Sequence, residues 1–115
     1  MRKKLIGKID MSLSYIELSQ QNLIHNAKTL RSLIGKKTKF AAVVKANAYG
    51  HGEREVVKIL ESYVDYFQVD DADELARVRK ITKKPILLLG YVAKSELTAV
   101  VKFGCELALY SLEQA

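Results

Sequence analysis

The sequence predicts an α/β fold built on parallel strands. Short apolar runs begin near Phe40, Asp65, Ile86 and Leu107, 21 to 25 residues apart. Apolar residues at helical spacing fill the intervals, the rhythm of repeating βα units. The runs are nearly continuous, as in strands covered on both faces. This rhythm fits an open doubly wound sheet or half of a (β/α)8 barrel, and does not choose between them. No Gly-x-Gly-x-x-Gly fingerprint follows the first run, which weakens a dinucleotide-binding reading.

Ser14 to Leu18 reads as a short entry strand. Ser19 caps a helix with Leu23, Ile24, Ala27, Leu30 and Ile34 at helical spacing, stopped by Gly35. After a loop carrying Lys36, Lys37 and Lys39, Phe40 to Val44 has the β-branched and aromatic content of a buried strand. Gly50 and Gly52 end that segment before a helix from Glu53 to Ser62 that uses Val56, Val57 and Leu60. Tyr66 to Val69 is the next strand, and Asp71 with Glu74 forms a capping box opening a helix from Asp73 to Lys80. Pro85 leads into the strand Ile86 to Leu89, with Gly90 as its turn. Ser95 caps a helix using Leu97, Val100 and Val101, stopped by Gly104. Leu107 to Tyr110 is the fourth strand, and Ser111 with Gln114 has the form of another capping box announcing a further helix.

A chain of 115 residues, 49% hydrophobic, suffices for one ordinary core. A complete barrel needs about 250 residues, so residues 1–115 are expected to supply an N-terminal half-barrel, truncated after about four βα strands. The net charge of +6 raises the question of an anionic partner. Its lysines and arginines are scattered without interleaved aromatic residues, so a solvated surface is the expectation and nucleic acid is not. Cys105 is the only cysteine, which precludes an intrachain disulfide and fits a reducing, cytoplasmic setting. Arg2, Lys3 and Lys4 are not followed by a signal-type apolar stretch, and no run approaches a membrane span. His25 has no second ligand at metal-binding spacing, and no metal is expected.

Lys45 ends the first barrel-type strand, sharing by alternation a face with Ala41 and Val43. Burying an unpaired ammonium is costly, and such a site favours the neutral amine, a nucleophile suited to a Schiff base with an aldehyde. Spacing alone leaves open a lysine that extends to solvent.

The string Ala42-Val43-Val44-Lys45-Ala46-Asn47-Ala48-Tyr49-Gly50-His51-Gly52 closely resembles the pyridoxal phosphate attachment motif of the alanine racemase family. Ile16-Glu17-Leu18, His25-Asn26, Ile86 to Gly90 and Ser111 to Gln114 are similar to other family segments, so the likeness runs from Tyr15 onward. The resemblance implies a TIM-type barrel with Lys45 at its C-terminal mouth. It implies a pyridoxal 5'-phosphate enzyme interconverting L- and D-alanine, supplying D-alanine for peptidoglycan, and a homodimer in the full-length family. Lys45 would hold the cofactor and act as one of two bases, and Tyr49 would contact the cofactor phosphate. The family's second base and its ring-nitrogen arginine come later than Ala115. His51 is assigned a structural role, and Asn47 the task of fixing the turn through side-chain bonds to backbone. Gln68, Asp70 and Asp73-Glu74-Leu75 depart from the family pattern at the mouth, which bears on alanine against serine preference.

Overall fold

The computed structural model describes residues 13–115. Nine elements follow in chain order: α1 Gln20–Ile34, β1 Ala41–Val43, α2 Lys45–Tyr49, α3 Glu53–Leu60, β2 Tyr66–Val69, α4 Ala72–Arg79, β3 Ile86–Leu88, α5 Lys94–Val101 and β4 Glu106–Leu107. The strands form one parallel sheet in the order β1-β2-β3-β4, with Val43 opposite Gln68, Gln68 opposite Leu87, and Leu87 opposite Glu106. Sequential parallel pairing with helical crossovers is the arrangement of the first part of a (β/α)8 barrel.

Alternation along the strands sorts the side chains onto two faces. Val44, Phe67, Val69, Ile86 and Leu88 are buried with Val56, Val57 and Leu60 of α3, Leu75 and Val78 of α4 and Val100 of α5. Each such side chain contributes about 1.5–3 kcal/mol when removed from water, so this layer is the core. On the opposite face Ala41 and Glu106 are exposed, Val43 retains 38% of its exposure, and Gln68 and Leu87 are partly exposed. Tyr66 on that face donates its hydroxyl proton to Glu106 Oε1 at 2.8 Å. This bond, with the nearby carboxylate charge, raises the phenol above its ordinary range.

Several expectations hold. Ser19 caps α1 by accepting from Asn22 N–H at 3.3 Å, and Gly35 ends that helix with φ 74°. The Asp71 side chain accepts from Glu74 N–H at 2.8 Å to cap α4. Other expectations are corrected. Ser14 to Leu18 is not a strand, and the described sheet begins at Ala41. In α1 only Ala27 is fully buried, and Leu30 and Ile34 face outward. Ser95 lies inside α5, whose N-cap is Ala93 with no side-chain cap bond. The fourth strand is Glu106–Leu107, not Leu107 to Tyr110: Ala108 still bonds Leu88 O, after which the chain turns away. Ser111 to Gln114 is a turn in which Gln114 Oε1 accepts from Tyr110 N–H and Nε2 donates to Val92 O, both at 2.8 Å.

Candidate cofactor site at the end of the first strand

Lys45 stands where β1 gives way to α2, at the C-terminal end of the sheet. The backbone there does what no apolar pattern announces. Ala46, Asn47, Ala48 and Tyr49 all have left-handed φ angles, 50°, 55°, 52° and 54°. For residues with a Cβ this costs about 1–2 kcal/mol each, so a run of four persists only where its surroundings hold it. Gly50 continues the turn at φ 86° without that cost.

Within the turn, Ala48 N–H bonds Val44 O at 2.8 Å and Gly52 N–H bonds Asn47 O at 2.9 Å. Asn47 Oδ1 accepts from Glu53 N–H at 2.9 Å, satisfying an opening donor of α3. His51 Nδ1 donates to Ala48 O at 2.9 Å, so its ring braces the turn. The structural parts expected of Asn47 and His51 are thus met by their contacts.

Side chains from α4 supply the rest. Glu74 is buried, and its two carboxylate oxygens accept from Ala46 N–H at 2.7 Å and Asp70 N–H at 2.8 Å. Arg77, one turn further on, donates from Nε to Glu53 Oε1 at 2.6 Å. That bond raises the guanidinium above its ordinary value against the opposing effect of desolvation. Glu74 and Arg77 fall at i and i+3, on one side of α4, so one helix holds both the entry and the exit of the left-handed turn.

The strand context left open two placements for Lys45, an unpaired buried ammonium and a side chain extending to solvent. Lys45 matches neither in full, being paired and partly exposed. Its Nζ lies 3.3 Å from Asp70 Oδ1, and the two side chains retain 32% and 49% of their exposure. Asp70 reaches this position because β2 ends beside β1, and its backbone is approached closely by Gly90. A Cβ on Gly90 would sit 1.9 Å from Asp70 O. Tyr49, the other expected cofactor residue, is 62% exposed at the far end of the turn. The amine is reachable, primary and at a strand end, which fits a group that binds through an aldehyde, and Tyr49 offers a hydroxyl donor on the same turn. Sequence reasoning placed Glu74 among the departures at the mouth but missed its bonds to the two strand ends. Its capping-box spacing marked it as a helix start, and nothing local pointed to Ala46.

A cleft of about 480 Å³ lies at the other end of the strands, lined by Lys28, Arg31, Tyr63, Asp65 and Lys84 among others. Three of the cations that line it are already engaged. Arg31 bonds Asp65 and Thr38 O, Lys84 bonds Val64 O, and Lys28 sits 5.7 Å from the Tyr63 ring centre.

The sequence profile of the family described as "Alanine racemase, N-terminal domain" matches residues 18–115. The chain belongs to the alanine racemase family. It is 36% identical over 102 residues to alanine racemase 1 of Caldanaerobacter subterraneus subsp. tengcongensis, covering 87% of this chain and 26% of that one. It is 43% identical over 101 residues to a serine/alanine racemase of Enterococcus gallinarum, covering 86% and 14%. Among solved structures, alanine racemase of Clostridium difficile 630 matches with TM-score 0.75 and 37% identity, over 81% of this chain and 25% of that one. Alanine racemase from E. faecalis gives TM-score 0.78 at 27% identity, over 84% and 27%. The family's barrel decides between the two folds that strand rhythm left open, and the chain spans about a quarter or less of the length of these relatives. Among the described residues no helix is long and apolar enough to cross a membrane.

Proposed function

We propose that this chain carries the lysine end of a pyridoxal 5'-phosphate site in an amino-acid racemase acting on alanine. The observation that carries the reading is the Lys45 amine, at a barrel strand's C-terminal end, reachable and held 3.3 Å from the Asp70 carboxylate. Barrel enzymes keep their chemistry at that end. Lys45 would hold the cofactor covalently, and the Tyr49 hydroxyl would donate to its phosphate. Once bound, the cofactor supplies an electron sink that disperses charge left on the substrate Cα.

The residues present then divide the work. Lys45 Nζ would be the group that takes or returns the Cα proton on one side of the substrate. Asp70 Oδ1 is placed to accept a hydrogen bond from that amine when it carries the extra proton. The left-handed turn, clamped by Glu74 and by the Glu53–Arg77 pair, keeps the amine from wandering. Racemisation needs a second proton carrier on the other side, which the family places later than Ala115. A preference for serine as well as alanine is a second reading, favoured by the 43% identity to a serine/alanine racemase.

The test is to incubate the purified chain with pyridoxal phosphate, reduce with borohydride and map the adduct by peptide mass. Lys45 is the expected site, and Lys45→Ala should remove it. Labelling spread evenly over the exposed lysines would overturn the reading. On the longest natural form of the protein, conversion of L-alanine should depend on Lys45.

A further inference from the structure

We propose that Glu74 is the positioning residue of the Lys45 amine, acting through the backbone of the two strand ends that bring Lys45 and Asp70 together. The inference deepens the cofactor-site reading and rests on it.

The Glu74 side chain belongs to α4, yet it serves segments 28 and 4 residues earlier in the chain. Only 7% of the residue is exposed. One carboxylate oxygen accepts from Ala46 N–H, the peptide immediately after Lys45, at 2.7 Å. The other accepts from Asp70 N–H at 2.8 Å. A single rigid carboxylate thus grips the residue next to the amine and the residue that meets it at 3.3 Å. Charge-assisted bonds of this kind are short and stronger than neutral ones.

A helix-capping role alone does not account for this. In a capping box the N3 carboxylate returns to the N-cap N–H, which here would be that of Asp71. Glu74 reaches one residue further back, to Asp70, and its second oxygen leaves α4 altogether. The N–H groups that open a helical turn have no partner inside the turn. Ala46 N–H is such a group, in a turn made costly by four left-handed residues. Supplying its acceptor from a buried anion fixes the peptide plane that follows Lys45, and with it the direction in which the lysine side chain leaves the backbone.

The test compares wild type, Glu74→Gln, Glu74→Ala and Val78→Ala, each incubated with pyridoxal phosphate and trapped with borohydride. Labelling at Lys45 is read against exposed Lys58 and Lys94 in the same sample. Glu74→Ala should slow labelling of Lys45 about tenfold, the equivalent of losing one strong hydrogen bond, with the reference lysines unchanged. Glu74→Gln should fall between, because its amide keeps one acceptor and turns an NH2 toward the other N–H. It also carries the test if Glu74→Ala fails to fold. Val78→Ala, which weakens the same helix from its buried side, should lower stability and keep the Lys45 preference. A preference for Lys45 that survives in folded Glu74 variants would overturn the proposal while leaving the cofactor-site reading intact. No preference in the wild type would overturn the reading itself, and the proposal with it.

Discussion

Arg77 and Glu53 join α4 to the first turn of α3 through a guanidinium–carboxylate contact of 2.6 Å in which the acid is 8% exposed and the base is about half exposed. The pair is unequal, and its energetics follow the buried member. Taking away the arginine strands an anion that cannot rehydrate fully. Arg77→Met is therefore expected to cost about 2–3 kcal/mol, below the 3–5 kcal/mol of a wholly buried pair because Arg77 is half exposed. Glu53→Gln, which leaves a neutral amide beside a solvated arginine, should cost less. Urea denaturation of both variants reads the difference, and equal losses would contradict this assignment.

The Lys45–Asp70 contact should behave in the opposite way. Both side chains reach solvent and the separation is 3.3 Å, so the pair contributes no more than about 1 kcal/mol to folding. Asp70→Ala is expected to leave the denaturation midpoint nearly unchanged. A large loss would mean that Asp70 holds the fold, and would remove the argument that this carboxylate is kept for the amine.

Gly90 owes its place to crowding. A methyl group there would stand 1.9 Å from the Asp70 carbonyl oxygen, a backbone atom that cannot swing aside. Gly90→Ala should therefore shift the end of β2 and cost about 3 kcal/mol or more, at the upper end of overpacking penalties. It should also disturb Lys45 labelling, which Asp70→Ala tests from the side-chain end. Thermal melts with adduct mapping on the same samples check both expectations.

Acid sensitivity is expected at the other end of the strands. The Asp65 carboxylate accepts from Arg31 at 2.6 Å and from Phe40 N–H at 2.8 Å, and these two bonds hold its carboxyl below the ordinary value. A depressed carboxylate stabilises the fold fully above its unfolded-state value, about 3.9, and that contribution is lost as pH falls from there through the lower folded value. Wild type should lose stability below about pH 4 more steeply than Asp65→Asn, with the two curves parallel above that window, where the remaining carboxylates are common to both. Denaturation midpoints between about pH 2 and 7 provide the measurement, and identical slopes would show that Asp65 is not linked to folding.

Much of this architecture was legible from residue order because its causes are local. Apolar spacing placed α3 at Val56, Val57 and Leu60, and short β-branched runs placed β2 and β3 to within a residue. Ser19 and Asp71 announced helix starts because a cap bonds within three residues of itself. Where an element depends on distant partners the reading failed. Ser14 to Leu18 has strand composition but lies outside the described sheet, and Ser111 to Gln114 has a capping pattern whose amide bonds both Tyr110 N–H and the distant Val92 O. Ser95 shows that a cap-forming residue type near a helix start need not be the cap.

By itself the sequence determined the strand and helix rhythm, the family likeness, and Lys45 as the residue to watch, since each rests on neighbours along the chain. Only tertiary structure decided that Ala46 to Tyr49 wind left-handed, that Asp70 faces the amine, and that Glu74 ties both together. The reason is that a costly backbone conformation is chosen by what holds it in place. Here the holders are a carboxylate 28 residues away and a helix that must first dock on the sheet.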